Sequence, residues 1–273
     1  MSNITDSENI FTYFCTRNQL IQPSPSRRSI PNDTMIILYR IYQILIFCPL
    51  IVVSTIITAI VTVIGSALGA GQWWGYHPEV LWGRIFCWLA FVRVTASGHE
   101  NIDKDTSYVF VANHQGAYDI FSLFGYLGHN FRWMMKESLR RIPFVGWGCK
   151  ASGQIFVDNS SVSATRRTMQ EAEKQLSGGM SLVVFPEGAR TWDGKMRKFK
   201  KGAYMLAVEF NLPVVPVTID GAFDVLPRFR LLPRPGHIRL TIHKPIPPTP
   251  GGHDLNTLME ESRKAIASAM PHD

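Results

Sequence analysis

The apolar positions of the chain follow two different patterns. Between Arg40 and Glu79 no residue carries a formal charge, and Ile, Val, Leu and Thr dominate the run from Ile41 to Gly71. This run is longer than the roughly 20 residues that a bilayer crossing needs, and soluble cores rarely sustain such a run without polar interruption. The pattern therefore predicts a membrane-embedded segment.

A second apolar stretch, Val80 to Val94, mixes aromatic residues with Arg84 and Arg93. That mixture is typical of a helix at a membrane interface. The glycine-rich link from Gly65 to Gly75 permits a hairpin. Because basic residues flank the apolar region on both sides, re-entry is favoured over crossing. We therefore expect a membrane-embedded helical hairpin over residues 35–97.

The first 34 residues are polar, with clusters of Ser, Pro and Asn and little periodicity. They predict a flexible tail over residues 1–34. A cleavable signal peptide is not expected, because the apolar run that follows is longer than the roughly 7 to 15 residues of such a region. Met35 is an alternative start of the native chain.

From Gly98 short apolar runs alternate with amphipathic stretches, which predicts β-α-β units in an α/β domain over residues 98–273. Strands are expected at Tyr108 to Ala112, Phe131 to Met135, Ile155 to Val157, Ser181 to Phe185, Val214 to Ile219 and His237 to Ile242. The clearest helices are expected at Val162 to Leu176, Ala203 to Phe210, and Leu255 to Ala269 after an Asp254 cap.

Charge and cysteine content narrow the possible partners. The net charge of +7 and the pI near 9.3 favour partners that carry phosphate, without choosing among nucleic acids, lipid head groups and small molecules. The four cysteines form no C-x-x-C pair and no cluster with histidines, so neither a disulfide framework nor a metal site is expected. Cysteines of this kind agree with a reducing cytoplasm.

The first polar cluster with chemical potential follows the predicted strand that ends at Ala112. It reads Asn113-His114-Gln115-Gly116-Ala117-Tyr118-Asp119. Histidine acts as a general base near neutral pH, and an aspartate five residues on can fold back to hold the imidazole in its useful tautomer. The alternative is that His114 caps a turn and Asp119 begins a helix.

A second polar cluster, Phe185 to Arg190, also follows a predicted strand. Glu187 offers an acceptor, Gly188 a freely approached backbone N–H, and Arg190 a forked cation for a phosphate. Because both clusters follow strands, we expect them to form one site.

Four segments together resemble the family of 1-acylglycerol-3-phosphate acyltransferases, in the family's order. They are Asn113-His114 with Asp119, Gly153-Gln154-Ile155-Phe156-Val157-Asp158, Phe185-Pro186-Glu187-Gly188 with Arg190, and Val215-Pro216-Val217 with Ile219. The membrane hairpin ahead of them is also typical of the family. The resemblance implies the glycerolipid acyltransferase fold, a mixed β-sheet flanked by helices.

The resemblance also implies an activity. His114, supported by Asp119, would take the proton from the sn-2 hydroxyl of 1-acylglycerol-3-phosphate as it attacks the thioester of acyl-CoA or acyl-carrier protein, giving phosphatidic acid. Asn113, Lys136, Glu187, Gly188 and Arg190 are the expected substrate-binding residues. The enzyme is expected at the cytoplasmic face of the inner membrane, among membrane lipids. No cofactor, metal or nucleic acid is expected, because the thioester is already activated and no nucleic-acid motif accompanies the charge.

Two residues depart from the family's pattern: Asn159 stands where an arginine is usual, and Ala189 where Thr or Ser is usual. The lost arginine leaves open another lyso-lipid acceptor, such as a lyso-ornithine lipid or another lysophospholipid. Lys136, the Arg166-Arg167 pair and the basic run from Lys195 to Lys201 are possible replacements, or else form a solvated surface.

Two further alternatives remain open from the sequence. The segment Phe223 to Leu232 interleaves arginines with Phe and Leu, so it is either a loop that touches lipid or an ordinary edge of the domain. The whole chain could also be a non-enzymatic membrane protein that binds lipid or nucleic acid through its basic surface.

Overall fold

The structure, a computed structural model, describes residues 33–157, 180–247 and 255–270, with positions 168, 170 and 172. The chain divides into two units, Met1–Tyr42 and Gln43–Asp273. In the first unit the described element is helix α1 (Asp33–Tyr42), in which the rings of Tyr39 and Tyr42 stack. The tail predicted over residues 1–34 lies outside the described residues up to position 32.

The second unit begins with a π-helical turn, Gln43–Phe47, followed by helix α2 (Cys48–Ala67). The helical stretch Thr34–Ala67 is, within the described part of the chain, the one that is long and apolar enough to cross a membrane by length and composition. Many of the aliphatic side chains of α2 are exposed, Val52 and Ile57 among them. A helix in a soluble core would bury most of them.

A hairpin follows from the glycine-rich link, as predicted. Helix α2 is joined through α3 (Gly71–Trp74) to α4 (His77–Leu89), and the Trp82 indole Nε1 donates to Thr55 Oγ1 on α2 at 3.0 Å. Trp74 packs directly on α2, because a Cβ at Gly65 would lie 2.2 Å from the Trp74 ring. Glycine at position 65 therefore allows the hairpin to close.

Helix α4 differs from the interfacial helix expected over Val80 to Val94, because one of its faces packs into the α/β domain. Phe86 stacks on Phe121 of helix α5 (Tyr118–Tyr126) with ring centroids 4.1 Å apart. On the other side Leu81 and Trp88 are exposed. The helix is therefore a covering layer of the domain, and its outer face combines Leu81 and Trp88 with the exposed Arg84.

The boundary expected at Gly98 also lies elsewhere in the structure. Residues Val92–Ser97 form strand β1, which pairs in parallel with β7 (Gly236–Ile242). The segment alternates between apolar and polar residues, as a half-buried strand does, and Arg93 points outward. The sheet therefore begins at Val92, inside the range expected to be membrane-embedded.

The remaining strands match the six predicted from the sequence to within a residue or two. They are β2 (Val109–Ala112), β3 (Phe131–Lys136), β4 (Ile155–Val157), β5 (Ser181–Val184) and β6 (Val214–Asp220), besides β7. The sheet order is β1-β7-β6-β2-β5-β3-β4, and every neighbouring pair is parallel except β6 and β7. The predicted mixed sheet is thus confirmed.

Further helices complete the described part of the chain. They are α6 (Val145–Ala151), α7 (Gly202–Glu209), α8 (Ala222–Val225) and α9 (Leu255–Ser268), with 3₁₀ turns at His99–Asn101 and Glu137–Arg141. The helix predicted over Val162 to Leu176 lies outside the described residues except at 168, 170 and 172, which are helical. The Asp254 cap also lies outside them.

Helices cover both faces of the sheet. Val109 and Val111 of β2 pack in one buried cluster with Tyr204 of α7 and Leu258 of α9. Successive strand residues point to opposite faces, so Phe110 faces the other layer, where its ring lies 5.4 Å from that of His129, just after α5. The central strand β2 is therefore buried on both faces, and its carboxyl end is held rigidly.

Candidate active site

His114, in the loop after β2, meets Asp119 in the first turn of α5. The imidazole Nδ1 lies 2.7 Å from Asp119 Oδ2, which also accepts a hydrogen bond from the Gly116 backbone N–H at 2.9 Å. Asp119 is fully buried, and within the described residues its Oδ1 has no hydrogen-bond partner. The carboxylate therefore fixes one side of the imidazole and leaves Nε2 as the atom that can accept a proton.

The imidazole face is fixed as well. Phe185, the first residue after β5, stacks on His114 with ring centroids 3.8 Å apart and an interplanar angle of 5°. Trp133 of β3 stacks in turn on Phe185 at 5.1 Å. No separate function was predicted for Phe185, although its place directly before Pro-Glu-Gly at a strand end is a signal that the sequence contains.

Glu187 joins the two polar clusters through the backbone. Its Oε1 accepts the His114 backbone N–H and its Oε2 the Arg197 backbone N–H, both at 2.8 Å. Burial raises the pKa of the Glu187 carboxyl, and the two backbone donors oppose that rise. Glu187 was expected to bind the glycerol phosphate, but the structure assigns both carboxylate oxygens to the protein backbone. A carboxylate would also repel a phosphate.

The sheet register explains why the clusters meet. Val111 of β2 pairs with Val184 of β5, so three residues further on His114 and Glu187 reach the same level. The Thr191 backbone N–H also donates to the His114 carbonyl oxygen at 2.9 Å. The expected single site at adjacent strand ends is therefore present as a geometric unit.

Asn113, expected to contact substrate, is used by the fold instead. It is 1% exposed, and its amide donates to the Ile219 carbonyl while its Oδ1 accepts the Ile219 N–H, both at 2.8 Å. These bonds extend the pairing of β2 with β6 by one residue beyond the strand end. Asn113 therefore positions the neighbouring His114.

We expect Asn113→Ala to lower the free energy of unfolding by about 2 to 5 kcal/mol, because a buried N–H and a buried C=O both lose their partner. The KM of the folded fraction for its acceptor should change less than about threefold. Denaturation of the detergent-solubilised protein, alongside steady-state kinetics, measures both quantities. Asn101→Ala, which removes one half-buried bond to Ile242, is the matched control. A large rise in KM at unchanged stability would instead indicate a substrate contact.

Gly188, Arg190 and Lys136 lie at the same edge of the sheet. Gly188 has φ 73°, a conformation that favours glycine. A Cβ at this position would lie 2.7 Å from Lys200 Nζ, so the absence of a side chain lets the Lys200 ammonium approach the backbone. Arg190 is half-buried, and Lys136 is the exposed last residue of β3. The Arg166-Arg167 pair and Asn159 lie outside the described residues.

The described part of the second motif is structural. Gln154 is buried, and its Oε1 accepts the Trp133 backbone N–H at 2.6 Å. Its Nε2 donates to the Glu79 carboxylate of α4 at 3.0 Å. Gln154 holds the backbone of Trp133, and the Trp133 ring stacks on Phe185. Gln154 therefore helps to position the Phe185 ring beside His114 without contacting either residue.

The described residues contain no group of three or more His, Cys, Asp or Glu side chains that could hold a metal ion. The chemistry available at this edge of the sheet is that of a base held by a carboxylate, with cations nearby. Such a set can deprotonate an alcohol next to a phosphate-bearing molecule.

Comparison with known proteins gives the class first. The family model described as Acyltransferase matches residues 93–220, which include β1 except its first residue, both polar clusters and all of β6. The crystal structure of the 1-acyl-sn-glycerophosphate (LPA) acyltransferase PlsC from Thermotoga maritima matches with a TM-score of 0.67 and 28% identity, covering 82% of this chain and 97% of that one. The fold is thus that of an acyltransferase.

Relatives then give the family. A 1-acyl-sn-glycerol-3-phosphate acyltransferase from Chlamydomonas reinhardtii is 30% identical over 91% of this chain and 75% of its own length. A chloroplastic one from Brassica napus is 34% identical over 70% of this chain, which spans about half (54%) of that relative. The chain belongs to the 1-acyl-sn-glycerol-3-phosphate acyltransferase family, which confirms the resemblance seen in the sequence.

Proposed function

We propose that this acyltransferase moves a fatty acyl group from acyl-CoA or acyl-carrier protein to the sn-2 hydroxyl of 1-acylglycerol-3-phosphate, forming phosphatidic acid. The observation that carries the proposal is the 2.7 Å contact between His114 Nδ1 and Asp119 Oδ2 at a strand end shared with Glu187 and Arg190. The acceptor is supported by the names of the relatives in several organisms.

In the proposed reaction His114 Nε2 takes the proton of the acceptor hydroxyl while its oxygen attacks the thioester carbonyl carbon. The tetrahedral intermediate collapses by breaking the C–S bond, and the departing thiolate takes the proton from the imidazolium. Asp119 holds the productive tautomer and stabilises the imidazolium between the two transfers. The base is regenerated, and the acyl donor serves as a co-substrate.

Glu187 acts in this scheme as a positioning residue. Its carboxylate ties the His114 backbone to the segment that carries Arg197, so the base and the basic run keep a fixed spacing. Arg190 would bind the phosphate of the acceptor, with Lys136 at the same edge. The Gly188 N–H, expected to contribute, instead donates to the Phe185 carbonyl at 3.0 Å.

We propose a membrane location for the reaction, at the cytoplasmic face of the inner membrane. The apolar stretch Thr34–Ala67 and the exposed Leu81 and Trp88 on α4 support contact with lipid. A lipid acceptor could then reach His114 without leaving the membrane surface.

A panel of lyso-lipids tests the acceptor. Purified protein is given acyl-CoA or acyl-carrier protein with lysophosphatidic acid, a lyso-ornithine lipid, or other lysophospholipids. Preference for lysophosphatidic acid is the expected result. Equal or better use of another acceptor would overturn the proposed substrate. The test matters because Asn159 stands where the family usually has an arginine.

We expect Arg190→Ala to lower kcat/KM for lysophosphatidic acid about 10- to 100-fold, because a charge-assisted bond to phosphate contributes about 1.5 to 3 kcal/mol. With monoacylglycerol, which lacks the phosphate, the same substitution should change the residual rate little. Arg263→Ala, exposed on α9, is the matched control and should leave both rates unchanged. Equal losses on both acceptors would show that Arg190 does not act on the phosphate.

A further inference from the structure

An exposed aromatic and aliphatic cluster lies beside the candidate active site. We call Trp192, Arg228, Phe229 and Leu231 the aromatic lip. The Arg228 guanidinium lies over the Trp192 ring, 4.2 Å from its centroid, and the Trp192 and Phe229 centroids are 4.8 Å apart. Yet Trp192 is 52%, Phe229 65% and Leu231 94% exposed. Single exposed apolar residues are normal, whereas a contiguous group marks an interaction surface.

The aromatic lip is attached directly to the loops that carry the candidate catalytic groups. Trp192 follows Thr191, whose N–H donates to the His114 carbonyl. Arg228 Nη1 donates to the Arg190 carbonyl at 3.4 Å. The Ala117 N–H donates to the Leu226 carbonyl at 3.3 Å. A molecule bound on the lip therefore sits at the mouth of the site.

The other end of the lip segment is fixed to the apolar helical stretch. Gln43, which is fully buried, donates from Nε2 to the Pro233 carbonyl at 2.8 Å. Gln43 belongs to the stretch Thr34–Ala67 that is apolar enough to cross a membrane. Gln43 lies in the π-helical turn directly before α2 (Cys48–Ala67), so the lip segment is attached at the end of α2 where that helix would enter a bilayer.

The composition of the lip fits a bilayer interface better than a protein partner. Tryptophan and phenylalanine are typical of the interface, and arginine places its stem on apolar surface while the charged head stays in the head-group region. Arg228, Arg230 and Arg234 lie in the same segment, and all three attract anionic head groups. Segments that bind a membrane surface typically have basic residues on both sides of exposed apolar side chains, as this segment does around Phe229 and Leu231.

We propose that the aromatic lip inserts into the interface of an anionic bilayer and delivers the lipid acceptor from the membrane to His114. This inference rests on the proposed function, in which the acceptor is a lipid. Insertion of Phe229 and Leu231 brings the head groups level with Arg190 and His114. The acceptor then moves to the site along the surface.

A double variant, Phe229→Ser with Leu231→Ser, tests the delivery role in the full chain reconstituted into vesicles of phosphatidylcholine and phosphatidylglycerol. With long-chain lysophosphatidic acid resident in the bilayer, kcat/KM is expected to fall at least about tenfold. With a short-chain lysophosphatidic acid that is monomeric in water, it should stay within about twofold of wild type. Equal losses on both acceptors, or no loss on either, would overturn the proposal.

A matched control uses two exposed apolar residues elsewhere, Met205→Ser with Val208→Ser on α7. This control should behave as wild type on both acceptors, and a loss equal to that of the lip variant would overturn the assignment to the lip. Should the double variant fold poorly, Leu231→Ser alone suffices, since a side chain 94% exposed contributes little to the core.

Photo-crosslinking tests the insertion independently of activity. A diazirine-bearing amino acid at position 231 is expected to crosslink to phospholipid in the same vesicles, whereas one at position 205 should not. Crosslinks from position 231 to protein alone, or quenching by water without any lipid adduct, would overturn insertion, whichever acceptor the enzyme uses. Absence of acyl transfer by the wild type to either acceptor would refute the proposed function. The crosslinking result would then still show whether the aromatic lip inserts into the bilayer.

Discussion

Replacing His114 by alanine is expected to lower kcat by at least about 100-fold, because a positioned general base contributes about 10²- to 10⁴-fold. Among the described histidines, His114 is the one that contacts Asp119 and stacks on Phe185, so its removal takes away the positioned base. Thioester cleavage in the presence of saturating acceptor measures the effect. Free imidazole added to the assay should restore part of the rate, since the space vacated beside Phe185 and Asp119 fits the same ring.

His237→Ala provides the control for this result. His237 is exposed on β7, where its Nε2 contacts Thr95 Oγ1 at 2.9 Å, and it lies outside both polar clusters. Its removal should leave kcat unchanged. If His114→Ala retained a third or more of the wild-type rate while remaining folded, the imidazole would not be the base, and another group would have to take the proton.

Asp119→Asn is expected to cause a loss of similar size, about 10²- to 10⁴-fold in kcat, although its shape is nearly unchanged. An asparagine that presents its amide N–H₂ to Nδ1 imposes the wrong imidazole tautomer, so Nε2 carries the proton and cannot accept one. It also removes the charge that stabilises the imidazolium. Steady-state kinetics on the purified variant measure the loss.

The double variant His114→Ala with Asp119→Asn separates catalysis from folding. If Asp119 acts through the imidazole, the double variant should be no slower than His114→Ala alone, since residues that act as a unit are not additive. A product of the two single losses would mean that Asp119 acts separately, for example by holding the loop through the Gly116 N–H. Thermal denaturation of each variant shows whether the loop remains formed.

Much of the site was accessible from the sequence because its signals are local. His114 follows a strand and Asp119, five residues on, lies in the first turn of the next helix, so the chain itself limits their separation. The strand preceding each polar cluster is short, apolar and β-branched, which predicts its burial and hence the exposure of the residues that follow. Strand positions were therefore correct to within a residue or two.

The functions of Asn113 and Glu187 could not be read from the sequence, because their partners are distant in the chain. Asn113 bonds to Ile219, 106 residues away, and Glu187 to His114, 73 residues away. From the sequence, a polar residue in a motif looks the same whether its side chain binds the substrate or a backbone group of the protein. Only the sheet register, which depends on all the strands together, decides between the two.

Strand β1 was missed for a different reason. Its alternation is only six residues long and directly follows an aromatic helix, so the whole stretch resembles one interfacial segment. Its partner β7 lies more than 140 residues away in the chain.

The amphipathic character of α4 has two causes, since one face packs on α5 and the other carries exposed Leu81 and Trp88.

The parallel stacking of Phe185 on His114 restricts the directions from which a molecule can reach the imidazole. The Nε2 lone pair lies in the plane of the imidazole, and the ring of Phe185 blocks one side of that plane at 3.8 Å. An alcohol must therefore approach edge-on, with its O–H vector in the ring plane. The proposed acceptor carries a single free hydroxyl, at sn-2, so the stacked ring limits the path of that hydroxyl to Nε2 and does not choose between oxygens.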